Sequence, residues 1–308
     1  MKKFLIKLTA LTIPFIILML VLNYIYKESY YYNTVCSEKK RFESVPKGIQ
    51  LANLGSSHGL NFDYKDFPEY TTYNFAIVWQ HHKYNYYLLK QYIDYFAPNA
   101  VVLIPISYFD ITRIETDLIP RYYGILSKEN FPDWTIRGEL SYLFPVMSYK
   151  NLWEKLRMNE NNSPYIQLSN HIIIKKDDAD TSAKAFFEKY TTNTESEKGE
   201  IGFQYNIEAV SKILDLCYEK DIVPVLVSTP VIDLLNDKYS ETDFFETFYR
   251  FTDILKEKYP SLIYLDYSQK IDFSNNWSLF KDADHLNPTG GKKFNNQIIY
   301  DLKNLGLL

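Results

Sequence analysis

Short apolar runs alternate with helical repeats over most of this chain. Ile49, Leu51 and Leu54 lead into a polar turn, GSSHG, and read as a strand over 49–54. YNFAIV (73–78) reads as a second strand. Tyr84, Leu88, Tyr92 and Phe96 then recur every fourth residue, which predicts a long helix stopped by Pro98. AVVLIPI (100–106) and IVPVLVS (222–228) are continuous apolar runs, as in strands covered on both faces. Ile207, Val210, Leu214 and Cys217 share one helical face, and Phe244, Phe248, Phe251 and Leu255 share another. LIYLD (262–266) is the last strand, and 291–305 a closing helix. This alternation predicts an α/β fold with a parallel sheet flanked by helices. Ligands gather at the carboxyl ends of such strands, and the GSSHG turn lies at one of them.

Two stretches fall outside the alternation. Lys2, Lys3 and Lys7 precede an uncharged run from Leu8 to Tyr26. As a helix it is long enough for a bilayer's hydrocarbon core, and its exit has no Ala-x-Ala cleavage pattern. Residues 1–28 therefore read as a single-pass anchor with its N-terminus in the cytoplasm, and Tyr24 and Tyr26 as interfacial residues. Residues 29–48 form a polar stem, which leaves 49–308 as an extracytoplasmic domain. Within that domain a long segment, about 111–204, interrupts the alternation with aromatic pieces and a polar tract, KKDDADTSAKAFFEKYTTNTESEKGE. It reads as a cap beside the site with a mobile polar end, or as a decorative excursion.

Composition narrows the function. A formal charge of −4 offers no basic excess for neutralising phosphates, which excludes a nucleic-acid protein. The 28 tyrosines and 20 phenylalanines fit a sugar-binding cleft or a general compositional drift. Cys217 falls on an apolar helix face, and Cys36 in the stem, with nothing specific to pair them. No spacing suggests a metal or an organic cofactor.

The chemistry lies in the polar turns. A nucleophilic serine needs a base, and the base a third group to orient it. His285, in KDADHLNPTGG, follows the last strand and precedes the last helix, on the same rim as Ser57. Asp282, three residues earlier, can turn back to the imidazole nitrogen that faces away from the serine, and Asp284 competes for that place. His58 reads as structural, since it cannot easily reach the adjacent hydroxyl. His81 and His82 read as substrate contacts or as a solvated helix start.

Gly55-Ser56-Ser57 after the first strand, with Asp282-x-x-His285 before the last helix, resembles the SGNH/GDSL hydrolase superfamily over residues ~49 to 305. The resemblance implies a flavodoxin-like, three-layer α/β/α fold with a five-stranded, mainly parallel sheet. It also implies Ser57 as nucleophile, His285 as base and Asp282 as its orienting acid. The family's second-block glycine falls at Trp79, followed by Gln80, and its third-block asparagine at Ser107. These three are the expected oxyanion donors. With the anchor, the pattern is similar to proteins that O-acetylate envelope polysaccharides or transfer D-alanine to teichoic acids. Such proteins typically work beside a multi-spanning membrane-bound O-acyltransferase. The resemblance implies acyl transfer to an envelope glycan, with a carbohydrate esterase or a non-catalytic envelope scaffold as alternatives.

Overall fold

A computed structural model of the chain describes residues 2–33, 38–108, 110–114, 119–147, 153, 156–158, 173–191, 197–240 and 242–308. In chain order its longer elements are α1 (Lys2–Lys27), β1 (Ile49–Asn53), β2 (Thr72–Asn74), α2 (His82–Tyr92), β3 (Phe96–Ile106), α3 (Ile136–Leu143) and α4 (Lys176–Thr191). There follow α5 (Glu197–Glu219), β4 (Val223–Ser228), α6 (Asp233–Ser240), α7 (Phe244–Lys258), β5 (Ile263–Asp266) and α8 (Pro288–Asn304). Two compact units result, one of Met1–Ser44 with Asp117–Gln167, the other of Val45–Thr116 with Leu168–Leu308.

The second unit is an α/β domain around a five-stranded sheet of order β2-β1-β3-β4-β5, every neighbouring pair parallel. That order is the flavodoxin-like one. Each of the five expected strands is present. β3 and β4 supply the most deeply buried run, Val101–Ile106 against Val223–Ser228, because their continuous apolar sequence is covered on both faces. The helices follow their apolar stripes: α2 packs on α5 and α4 on α6, while α7 buries Phe248, Phe251 and Leu255.

Several boundaries differ from the expectation: the second strand, expected over 73–78, covers only Thr72–Asn74, and α5 begins at Glu197 rather than 207. The helix over 84–96 ends at Tyr92, a turn of 3-10 helix follows, and Phe96 opens β3. Phe96 fits the four-residue repeat, but the strand extends back through Pro98. It can do so because Pro98 and Asn99 are exposed near the start of the strand, where a missing N–H costs little.

The first unit contains α1 and α3. Tyr26, Tyr31 and Val146 form its buried cluster, with Met19, Leu22 and Tyr32 packed against it. Asn23 donates to the Leu143 carbonyl at 2.9 Å. The anchor expected over 1–28 takes the form of one 26-residue helix containing Pro14. Among the described residues no helix is long and apolar enough to cross a membrane. The side chains of 5–8 and 11 lie outside that description.

The first part of the polar tract forms α4 and buries Ala179 and Ala183, and residues 192–196 of it lie outside the described residues. Cys217 is a buried thiol, its pKa pushed up to about 12 by burial, and Cys36 lies outside the described residues.

Candidate active site

The turn after β1 is fastened by asparagines that end two neighbouring strands. Asn53 and Asn74 are partners in the β1–β2 register. The Asn53 amide donates to the carbonyls of Leu54 and Gly59 and to Asn74 Oδ1, at 2.9–3.0 Å. Asn74 in turn donates to the carbonyls of Gly59 and Phe62. From α2, Asn85 Oδ1 accepts the Gly55 N–H at 2.9 Å. Gly55 has φ +119°, and a Cβ there would lie 3.0 Å from the ring of Pro105, so the position requires glycine. The turn therefore presents Ser57 in one fixed orientation at the carboxyl end of the sheet.

The loop after β5 holds itself. Asp282 Oδ1 accepts the backbone N–H of Asp284 at 3.2 Å and of His285 at 2.7 Å. Asn287 caps α8 by accepting from Gly290 N–H, and its amide donates to the Ser278 carbonyl. Helix α4 lies against this loop: Ser182 Oγ accepts the Ala283 N–H, and Phe186 meets the His285 ring edge-on at 6.3 Å.

These two loops bring the expected residues together. His285 Nε2 lies 2.8 Å from Ser57 Oγ, and its Nδ1 lies 3.0 Å from Asp282 Oδ1 and 3.1 Å from Oδ2. Asp284 Oδ1 approaches the same Nδ1 at 2.8 Å, but off the line of a hydrogen bond, so this contact is ionic rather than directional. Burial opposes the charged ring, but Asp284 and then Asp282 outweigh it and push the His285 pKa up to about 10. Asp284 is itself buried, and the charged His285 beside it holds its carboxyl far below the usual range.

Behind this cluster runs a buried polar chain that sequence reasoning missed. The His58 ring stacks on His285, 4.7 Å apart and within 4° of parallel. His58 Nε2 faces the Asp284 carbonyl at 2.8 Å and Oδ2 at 3.3 Å. Its Nδ1 meets Ser107 Oγ at 3.0 Å, and Ser107 Oγ meets Asp110 Oδ2, also at 3.0 Å. Burial raises the Asp110 pKa. A cavity with room for about one water adjoins His58, Ser107 and Asp284. The only sequence signal for this chain was polar residues at the ends of apolar runs.

The expected oxyanion donors divide. Gln80 donates its amide to the Phe75 carbonyl and Asn85 Oδ1, which uses both of its protons. The Ser107 hydroxyl serves His58 and Asp110. Trp79 adopts φ +58°, the left-handed region that favours glycine. Among the described residues, the N–H groups of Ser57 and Trp79 have no acceptor. His82, by contrast, is buried at the start of α2, and burial lowers its pKa to about 3.

His58, Asp284 and His285 offer ligand atoms within 4.8 Å of one another. The donor set fits a proton network better than a cation, since His58 Nε2 faces two oxygens and must carry a proton, and His285 Nδ1 does likewise.

No protein-family model matches the chain, and no curated protein does. Among solved structures, the chain is similar to a Bacteroides fragilis protein provisionally described as an acylhydrolase. The identity is 12%, the TM-score 0.42, and the match covers 88% of this chain and 95% of that one. At that level the likeness adds nothing to the argument from the residues.

Proposed function

We propose that the protein is a serine-dependent enzyme that transfers an acyl group, through an acyl-enzyme on Ser57, onto an extracytoplasmic glycan. The observation that carries this reading is the 2.8 Å contact of Ser57 Oγ with His285 Nε2 on a ring whose other nitrogen faces Asp282. His285 takes the Ser57 proton as Ser57 attacks the acyl carbonyl. The Ser57 and Trp79 N–H groups hold the developing oxyanion. The leaving alcohol receives the proton from His285, and an acyl-enzyme on Ser57 results. His285 then activates a sugar hydroxyl, giving transfer, or water, giving hydrolysis.

Transfer is the favoured outcome. An open groove of about 640 Å³ is lined by Leu60, Asn61 and Asp63, a few positions after Ser57, by Leu286, next to His285, and by Asn295 of α8. Asn61 Nδ2 and Asn295 Oδ1 are buried there without partners, one donor and one acceptor suited to sugar hydroxyls. Location at a membrane belongs to the same proposal. Ile13, Phe15, Ile16, Ile17 and Leu18 of α1 are all about half exposed or more, which supports contact with lipid. A multi-spanning membrane-bound O-acyltransferase is the proposed acyl supplier, and an envelope polysaccharide or teichoic acid the acceptor.

The test uses the full chain in detergent micelles. Wild type should react with a serine-directed fluorophosphonate and hydrolyse p-nitrophenyl acetate, and Ser57→Ala and His285→Ala should do neither. Acetylated sugar formed when an oligosaccharide is added would establish transfer, and release to water alone the esterase. Wild type no faster than Ser57→Ala would overturn both.

A further inference from the structure

We propose that Asp110, Ser107 and His58 share one mobile proton, and that its position decides whether Asp284 pairs with His58 or with His285. The inference concerns the same site as the proposed function, and rests on that reading only for its catalytic use.

The atoms allow two arrangements with the same number of protons. His58 Nε2 carries a proton in both, because it faces the Asp284 carbonyl and carboxylate. In the first, Asp110 is a neutral carboxyl that donates to Ser107 Oγ, and Ser107 donates to the bare Nδ1 of His58. In the second, the His58 imidazolium donates through Nδ1 to Ser107, and Ser107 donates to the Asp110 carboxylate. Passing from one to the other moves two protons by one hydrogen bond each and leaves the net charge of the chain unchanged. The 3.0 Å spacing of both links permits this without rearrangement of heavy atoms.

The consequence falls on Asp284, whose Oδ2 faces His58 Nε2 and whose Oδ1 faces Nδ1 of the stacked His285 ring. When His58 is charged, Asp284 is its counter-ion, and His285 remains neutral with Nδ1–H on Asp282. When Ser57 gives its proton to His285 Nε2, the His58 Nδ1 proton returns to Ser107 and the Ser107 proton to Asp110. Asp284 is then free to pair with the new His285 imidazolium. His285 gains its positive charge with the Ser57 proton, the charges of His58 and Asp110 cancel as the relay proton returns to Asp110, and the substrate oxygen takes the negative charge. This resolves a difficulty in the geometry: two carboxylates on one nitrogen would otherwise keep the base protonated and useless at neutral pH.

The charged and titratable groups around His285 are few. Its own loop supplies Asp282, Asp284 and the half-buried Lys281, the β1 turn His58, and the turn after β3 Asp110. His81, at the start of α2, and Arg113 act on Asp110.

Histidine-selective NMR titration of the full chain in micelles tests the inference without needing turnover. Asp110→Asn keeps the shape but cannot accept the proton, and Ser107→Ala cuts the path. Both should raise the titration midpoint of His285 by about one pH unit, a tenfold change in its proton affinity. Asp284→Asn should lower the midpoint by at least as much. Midpoints in Asp110→Asn and Ser107→Ala that stay at the wild-type value, or fall, would overturn the shared proton. A protein with the expected midpoints but no ester turnover would sink the proposed function and leave the relay standing.

Discussion

The nucleophile turn and the base loop meet at one hydrogen bond, yet they are built in opposite ways. The turn at Ser57 is held from outside, by Asn53 at the end of β1, Asn74 from β2 and Asn85 from α2. The loop at His285 is held mainly from within, by Asp282 folding back on the next three residues and Asn287 capping α8. An externally pinned turn has its geometry set by the sheet. A self-supporting loop can carry closely spaced charges, because its backbone already satisfies part of them. Substitutions should therefore harm the first through position and the second through protonation.

The largest effect should come from Asp282, whose two roles can be separated. Asp282→Asn keeps an acceptor for the Asp284 and His285 N–H groups but loses the charge. We expect it to lower kcat by a factor of about 10²–10⁴ with little change in Tm, whereas Asp282→Ala should lower both. Steady-state kinetics and a melting curve together make the distinction.

The next is the pH profile. The two carboxylates raise the His285 pKa above its ordinary value, so the folded state favours the protonated ring. That stabilisation is complete below the unfolded value, about 6.5, and is lost as pH rises through the folded one. Activity runs the other way: kcat/KM on an uncharged ester should climb as His285 loses its proton. With Asp284 turned to His58 in the resting enzyme, that acid limb should lie well below the fully paired value of about 10, and should move toward it in Asp110→Asn.

On the turn side, Asn85→Leu leaves the Gly55 N–H and the Gln80 amide without their buried acceptor. A loss of about 1–3 kcal/mol is expected. That corresponds to a Tm lower by several degrees, with kcat reduced and the pH limb unmoved. The smallest effect should be that of Trp79→Gly. It relieves a left-handed backbone worth about 1–2 kcal/mol at a half-exposed residue and keeps the N–H. Activity should persist and Tm rise slightly.

How much of this was legible follows the same division. The strands could be read because burial on both faces leaves an unbroken apolar run, and the base loop because its parts are close in sequence. Trp79 was placed by analogy with a glycine, and its φ of +58° fits that position. The start of β3 was misread, since Phe96 suited a helical repeat, and the helix over 176–191 was not foreseen, since a polar tract does not advertise what it covers. The chain from Asp110 to His58 could not be read at all. Its links join residues 49 positions apart and then cross to a loop 226 residues further on, and no periodicity records such a meeting.

That distance also bears on the order of events during synthesis. Ser57 and His285 are separated by 228 positions, and the sheet is interrupted after β3 by residues that belong to another unit. A ribosome emits the nucleophile 228 positions before its base. Until then the serine has no partner, so a nascent chain is chemically silent and acquires its reactivity only as the last helix closes.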